Sequence, residues 1–448
     1  MKSGLRVLIL ASTWVGLFFG AVGWAQTAAS QAAPEPTAAK PVSFRTVIEL
    51  AVRNSAATAI SRADMQHARA SVNQAKDAFL PQLMIGSGLG WSYGFPLSLE
   101  GAAPSIFNVT AQQFLFNLAQ RDYIHAAKSE QEISAVQAGE RRNDTIMEAA
   151  LSYMQLDLLD SSITIQREQQ AAAAKYQDVV NQRIQAGLDS QVELTRAKLA
   201  VARTRLDIAQ TQSAADALRM RLSQLTGLPA DSIRTVTESI PNLPDVSQQD
   251  DYAAQAEQKN GAVVIALRSA EAKDFKARGE HHQLYPAIDF AAQYAMLSRI
   301  NNYDEFFLKF QRNNVTIGAA FRFSFLNVAQ RAAAESARAD ANKAQAEVRN
   351  VKQQVSSDTL KLQRAVEQYA AAKDVAQLEH QLSLADIDST HAKIESGQAS
   401  MKDEQNARVA EHQRYTAYLS SEFDLDKAQV QLLRQIGNLE SWALGPAR

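Results

Sequence analysis

The chain has 448 residues, with 46 basic and 48 acidic side chains, a formal net charge of −2 and no cysteine. The lack of cysteine excludes a disulfide framework and a thiolate nucleophile. The slightly acidic balance argues against nucleic acid as a partner.

The N-terminus is typical of a cleaved secretory signal. Lys2 and Arg6 precede an apolar run over residues 7–22, and small residues lead to a cleavage site at about residue 25. We predict a signal peptide over residues 1–25, whose removal leaves 44 basic against 48 acidic residues and a charge of −4. Because no cysteine follows the signal, we expect no lipid anchor.

The composition and apolar spacing of the chain after the signal change twice, at about residue 41 and at Pro81. Residues 26–41 hold three prolines among Ala, Thr and Gln, and predict a flexible N-terminal segment. The apolar spacing over residues 42–78 predicts an amphipathic helix or a broken pair of helices. Pro81 ends this pattern, and the apolar period then changes from about 3.6 to 2.

The alternating segments predict four β-strands. Their bounds are about 82–93, 108–116, 287–296 and 314–325. Each has roughly ten residues, the length that a tilted strand needs to cross a bilayer. Beyond the signal no apolar run approaches the roughly 18 to 20 residues of a membrane-spanning helix, so we expect membrane contact through strands alone. The connections 94–107 and 297–313 are interpreted as exposed loops with aromatic residues near an interface.

Long helical hairpins follow each strand pair, and they turn at Gly187 and Gly397. The turn segments, residues 183–190 and 393–400, are alike and lie 210 residues apart, which indicates two copies of one unit. We assign repeat 1 to residues 42–228 and repeat 2 to 251–440. A proline-containing linker, 229–250, joins them, and 441–448 form a C-terminal tail.

The turns themselves have a structural interpretation. Glycine accepts positive φ and lets the chain reverse. Arg183 and Lys393 suit the carboxyl ends of the incoming helices, and Ser190 and Ser400 suit the N-cap of the returning ones. Asp403, six residues after Gly397, is a solvated charge on a single chain. In a ring of identical chains it would attract cations, and mutual repulsion would raise its pKa.

The sequence favours no enzyme. Neither the His281–His282 pair nor His380 with His391 has the spacing of metal ligands. No phosphate-binding glycine loop and no nucleophile elbow occurs. We therefore predict no catalytic residue, no cofactor and no metal site.

Several features together resemble the TolC-type outer membrane factor family. They are the tandem copies, the strand pairs after Phe79-Leu80-Pro81 and Leu284-Tyr285-Pro286, the strand exits at 114–117 and 324–327, the glycine turns followed by Ala197 and Ala407, and the repeat ending Leu225-Thr226-Gly227. Proteins of this family are the exit ducts of Gram-negative tripartite efflux pumps and type I secretion systems.

The resemblance implies a mainly helical fold with membrane β-structure, in which long antiparallel coiled-coil hairpins accompany four transmembrane strands per chain. Four strands cannot close a barrel, and an open edge in lipid leaves backbone groups unpaired. A homotrimer would supply twelve strands for one β-barrel, continuous with a periplasmic α-helical barrel. The termini and the linker 229–250 would form an equatorial belt.

The implied function is passive export. The channel-tunnel would lie in the outer membrane with a large periplasmic portion, contact outer membrane lipid, and receive solutes from an inner membrane transporter of RND, ABC or MFS type through a periplasmic adaptor. Efflux is favoured, with the exit duct of a type I protein secretion system as the alternative. A soluble periplasmic coiled-coil scaffold is the alternative of another class.

The resemblance also assigns roles to residues. The tip positions that match adaptor contacts are Arg183, Gly187, Leu188, Ser190, Lys393, Gly397 and Ser400. Asp403 matches an aspartate ring at the periplasmic gate, while a second acidic position of that gate is Asn406 here. Some members latch the closed tip with an arginine and a tyrosine at the positions of Ala399 and Ile394, although Glu193 retains the acidic side.

Overall fold

The computed structural model describes residues 41–88, 105–297 and 311–445. The first half contains α1 (Phe44–Asn54), α2 (Ala56–Asp77), β1 (Gln82–Gly88), β2 (Ser105–Phe116), α3 (Leu118–Gln185) and α4 (Gln191–Thr226). The second contains α5 (Tyr252–Lys259), α6 (Gly261–His282), β3 (Ala287–Leu297), β4 (Asn313–Arg322), α7 (Val328–Glu395) and α8 (Met401–Gln435), followed by α9 (Leu439–Leu444). Both halves therefore run through a helix pair, a strand pair and a long hairpin.

The helix that opens each half is broken by a capping residue. Ser55 ends α1 and accepts a hydrogen bond from the Ala57 N–H at 3.1 Å, which starts α2. Asn260 does the same between α5 and α6, accepting from the Ala262 N–H at 2.9 Å. Of the two sequence interpretations of residues 42–78, the structure has the broken pair, because a capping side chain satisfies a backbone N–H that the next helix leaves free.

The four strands form one antiparallel sheet in the order β1-β2-β3-β4. The pairing of β2 with β3 joins the two halves, with Val109 opposite Tyr294. The strand predicted at 314–325 ends earlier, at Arg322. Arg322 pairs with Ala287, the first residue after Pro286, so the ladder has no partner strand beyond it. Residues 89–93 of the first predicted strand, and residues 94–104 and 298–310 of the two loops, lie outside the described residues.

The hairpins consist of unusually long helices. Helices α3 and α7 have 68 residues each, which corresponds to about 100 Å at a rise of 1.5 Å per residue. Helix α3 packs against α4 and α6, and α7 packs against α8 and α6. Small side chains allow these close approaches, as Ala150, Ala173, Ala197 and Ala215 are fully buried. No described helix has a stretch long and apolar enough to span a membrane.

Among the described residues, the larger of two apolar cores lies where the inter-repeat linker crosses the first hairpin. Its fully buried side chains come from α1, α3, α4, α8, α9 and the linker, and they include Phe44, Val47, Ile48, Ile146, Ala150, Tyr153, Leu156, Leu222, Ile233, Val430 and Leu439. The Tyr153 hydroxyl donates to the Val42 carbonyl at 2.8 Å and accepts from the Val236 N–H at 2.7 Å. One buried side chain thus ties the chain before α1 and the linker to α3.

The segment predicted as a C-terminal tail, 441–448, starts inside α9. The Trp442 ring packs against Phe44 with centroids 5.5 Å apart, and its Nε1 donates to the Asn242 carbonyl at 3.2 Å. Residues 441–445 are therefore part of the larger core region, and residues 446–448 lie outside the described residues.

Candidate functional site

The sheet has two chemically different faces, because directly opposed residues of all four strands share a side. One row across the sheet is Leu83, Ala111, Ala292 and Ile317, and the next is Ile85, Val109, Tyr294 and Val315. We call this side the apolar face. Its outer strands are open to the surroundings, since Ile85 is 73% exposed and Ile317 is 68% exposed. A contiguous exposed apolar surface marks a site of contact with lipid or protein.

The opposite side, which we call the polar face, carries small and polar residues. Its rows are Gln82, Gln112, Ala291 and Gly318, then Met84, Thr110, Gln293 and Thr316, and at the helix-proximal end Phe114, Asp289 and Ala320. Within the described residues, β1 pairs only with β2 and β4 only with β3, so the sheet has two open edges. Open edges expose backbone N–H and C=O groups that a further strand can pair.

The two hairpin turns have the same backbone geometry. Gly187 and Gly397 adopt φ of +71° and +73°, the left-handed region in which a Cβ is strained. The Leu188 N–H donates to the Arg183 carbonyl at 2.8 Å, and the Gln398 N–H donates to the Lys393 carbonyl at 2.7 Å. The Leu188 side chain is 66% exposed at the first turn. The structure therefore presents two matching tips, one with an uncovered apolar side chain.

Charged and hydroxyl side chains fix the first turn. Ser190 caps α4 by accepting from the Glu193 N–H, as its position predicted. Arg183 forms an ion pair with Asp189 at 2.7 Å, a contact within the turn that sequence reasoning missed. Ser190 and Glu193 have the spacing of a capping box, but the Glu193 carboxylate contacts Arg196 at 2.7 Å and Lys402 at 3.8 Å instead.

The Glu193–Lys402 pair also shows where the tips lie. Glu193 is in the first turn of α4, and Lys402 is in the first turn of α8, 209 residues further along the chain. The two hairpins of one chain therefore end beside each other. Ile394 and Ala399, at the two latch positions, are half-buried. Asn406, at the second gate position, is exposed.

Asp403 has a structural partner that the sequence interpretation did not foresee. Its Oδ2 accepts from the Ser400 N–H at 2.9 Å and from the Ser400 hydroxyl at 2.7 Å, while Ser400 caps α8. These hydrogen bonds lower the pKa of the Asp403 carboxyl, so it is ionised at neutral pH. The sequence pattern Ser-x-x-Asp at residues 400–403 has the spacing of a capping box and could have indicated this contact. Asp403 remains exposed and one helical turn before Asn406.

Comparison with known proteins gives the class. Residues 47–228 match the family model described as outer membrane efflux protein. The match confirms, over residues 47–228, the resemblance to TolC-type outer membrane factors that the sequence indicated. A search of the curated proteins found no match.

Solved structures extend the likeness over most of the chain. CusC, in a study of its folding and transmembrane channel formation, is 15% identical with a TM-score of 0.73, covering 88% of this chain and 92% of its own. The outer membrane protein VceC of Vibrio cholerae is 17% identical with a TM-score of 0.70, covering 87% and 96%. The CmeC outer membrane channel of Campylobacter jejuni is 14% identical with a TM-score of 0.72, covering 88% and 86%. At these identities the likeness establishes the fold.

Proposed function

We propose that the protein is the outer membrane channel-tunnel of a tripartite efflux system, a passive exit duct for solutes handed over by an inner membrane transporter and a periplasmic adaptor. The observation that carries this proposal is the four-stranded sheet, with its exposed apolar face, its polar face and its two open edges. An apolar face suits lipid, and a polar face suits a water-filled lumen. The match of residues 47–228 to the outer membrane efflux protein model supports the same conclusion.

The open edges favour assembly with further copies. Backbone groups at a sheet edge have no water to pair with inside a bilayer, and each unpaired group costs several kcal/mol. Pairing β4 of one chain with β1 of the next satisfies both edges. Three copies of four strands give about twelve strands, within the range of outer membrane barrels. We infer a homotrimer in the outer membrane of a Gram-negative bacterium, exported by a cleaved signal over residues 1–25.

A soluble periplasmic scaffold fits the sheet less well. In that case the residues of the apolar face would be covered by protein, yet Leu83, Ile85, Val315, Ile317 and Phe321 are each more than 60% exposed on the chain. Burying apolar surface contributes roughly 25 cal/mol per Å². If the protein is a channel, lipid or neighbouring copies of the chain bury the apolar face.

The paired tips are the proposed contact with the adaptor and the proposed gate. Leu188 offers an exposed apolar side chain directly after Gly187. Asp403 and Glu193 bring negative charge to the start of α8 and α4, and Asn406 leaves one acidic position of the family gate neutral. Because three chains would place like charges around one axis, the tip would attract cations. The Glu193–Lys402 contact would hold the two hairpins of each chain together.

Planar-bilayer recording tests the proposal. We expect the protein to fractionate with the outer membrane and to require detergent for extraction. Once purified, it should produce stepwise single-channel currents. We expect a trivalent metal cation to block the current from the side of the tips. Asp403→Asn should weaken this block, because it removes charge while keeping an oxygen acceptor for the Ser400 cap.

The matched control is Asp374→Asn, an exposed acid within α7 and distant in sequence from the turn. It should leave the block unchanged. Recovery of a monomer in osmotic-shock fluid, with no current from purified protein, would reject the channel. Equal block of the wild type and Asp403→Asn would remove Asp403 from the gate but leave the channel standing.

A further inference from the structure

The helix-proximal end of the polar face carries a charged pair. Asp289 lies near the start of β3, and Arg322 is the last residue of β4. The Asp289 Oδ2 and the Arg322 Nη2 are 2.5 Å apart. The Asp289 side chain is 16% exposed and that of Arg322 is 63% exposed. The carboxylate therefore sits in a recess, while the guanidinium reaches outward.

The second oxygen of this carboxylate is unsatisfied. Asp289 Oδ1 is buried and has no hydrogen-bond partner among the described residues. A buried acceptor without a donor is destabilising, and more so when it is charged. A ligand that donates a hydrogen bond to this oxygen would remove the free-energy cost of leaving it unpaired.

A cavity of about 400 Å³ lies at this group. Gln82, Gln112 and Phe114 line it together with Asp289, Ala291 and Arg322. This volume is within the range of small-molecule sites. Ala291 and Ala320, on either side of the carboxylate, keep the recess open because they have short side chains.

One wall of the cavity is aromatic and fixed in place. The Phe114 ring packs edge-to-face on Phe79, with centroids 6.2 Å apart. The Phe114 N–H also donates to the Ala78 carbonyl at 3.1 Å, which anchors the end of β2 to the end of the first helix pair. The cavity thus combines an aromatic surface, glutamine amides and a carboxylate oxygen that lacks a donor.

We propose that this cavity is a solute-binding site of the duct, and that it takes the ammonium group of a small aromatic amine. The inference rests on the proposed function, since the polar face must line the lumen for a solute to pass the site. The N–H donors would bind Asp289 Oδ1, and the ring would lie against Phe114. Because Arg322 balances the charge of Asp289, selection acts through hydrogen bonding, and weak binding lets the solute leave again.

The test uses block of single-channel current by three probes. Benzylamine is the cation with N–H donors, benzyltrimethylammonium has the ring and charge without donors, and benzyl alcohol lacks the charge. We expect benzylamine to block at a concentration about tenfold lower than either other probe, the effect of one hydrogen bond to a charged group. Equal block by all three would overturn the proposal.

Two variants locate the effect. Asp289→Asn should weaken block by benzylamine about tenfold, because Arg322 holds the one amide oxygen that remains and the amide NH2, a donor, then faces the ammonium group. Ala320→Leu should weaken the block by filling the cavity while the carboxylate remains. Asp374→Asn should leave it unchanged. Block that persists in both cavity variants would refute the site.

A second measurement separates this inference from the proposed function. Saturation-transfer NMR of the detergent-solubilised protein reads benzylamine binding without any current. Absence of current would count against the channel, whereas absence of an Asp289-dependent NMR signal would count against the cavity site. Binding that Asp289→Asn does not change would also refute the site.

Discussion

Ile317→Lys is expected to prevent stable insertion of the protein into the outer membrane, whereas Thr316→Lys is expected to be tolerated. The two residues are neighbours in β4, but Ile317 lies on the apolar face and Thr316 on the polar face. A lysine on the lipid side of a strand costs about 2–4 kcal/mol near the bilayer midplane. In a homotrimer each assembly carries that cost three times.

The readout is the amount of detergent-extracted trimer in the outer membrane fraction. The pair of variants is matched in position, in residue introduced and in charge. Loss of trimer with Ile317→Lys alone would support lipid on the apolar face. Equal accumulation of both variants, or loss of both, would contradict the assignment of the faces.

Tyr153→Ala is expected to be the most destabilising change in the larger core. The ring is fully buried and packs edge-to-face on Phe44 at 5.5 Å. Removing a buried aromatic side chain typically costs about 3–5 kcal/mol. Tyr153→Phe keeps the ring but leaves the Val236 N–H and the Val42 carbonyl without this partner, which costs about 1–3 kcal/mol.

Guanidinium unfolding followed by the helical circular dichroism signal measures both effects. Limited trypsin digestion adds a local readout, because Arg234 lies in the linker and its carbonyl accepts from the Val42 N–H at 3.0 Å. Both variants should speed cleavage at Arg234. Tyr369→Phe is the control, since Tyr369 is 38% exposed and surface changes stay within about 0.5 kcal/mol. Wild-type stability of Tyr153→Ala would contradict the anchoring role.

The periodic parts of the fold could be predicted from the sequence. Apolar spacing near 3.6 and near 2 separates helix from strand, since each period follows from local geometry. The turns at Gly187 and Gly397 were also predictable, because positive φ favours glycine. These features depend on residues close together in the chain.

Contacts between distant residues could not be predicted. Tyr153 lies within the first predicted helical hairpin, but its hydroxyl partners lie 83 and 111 residues away. The alternation of β4 continues to Phe325, yet the strand ends at Arg322 because Pro286 precedes its partner. The pairing of Asp289 with Arg322 depends on register, which alternation alone does not define.

At the hairpin tips, too, local features could be predicted from the sequence and contacts between distant residues could not. Ser190 and Ser400 cap their helices as their positions predicted. Glu193 and Asp403 share the same spacing from these serines, but only Asp403 completes a capping box. The difference lies in Arg196 and Lys402, which attract the Glu193 carboxylate. Sequence spacing provides the candidates, and competing charges decide between them.

We propose that copies of the chain close the sheet by pairing β4 of one with β1 of the next. Because the natural chain has no cysteine, a disulfide in a variant can only come from introduced residues. Ile85→Cys would be combined in turn with a cysteine at Val315, Ile317 or Ala319, which samples neighbouring registers. Within one chain two strands separate β1 from β4, roughly 14 Å and too far for a disulfide.

Mild oxidation of these variants in the membrane, followed by denaturing electrophoresis without reductant, gives the answer. We expect at least one pair to yield a covalent product of three chains that reductant returns to monomer. Each single-cysteine variant should stay monomeric. Monomers alone from every pair, or disulfides formed within one chain, would contradict closure of the sheet by neighbouring copies.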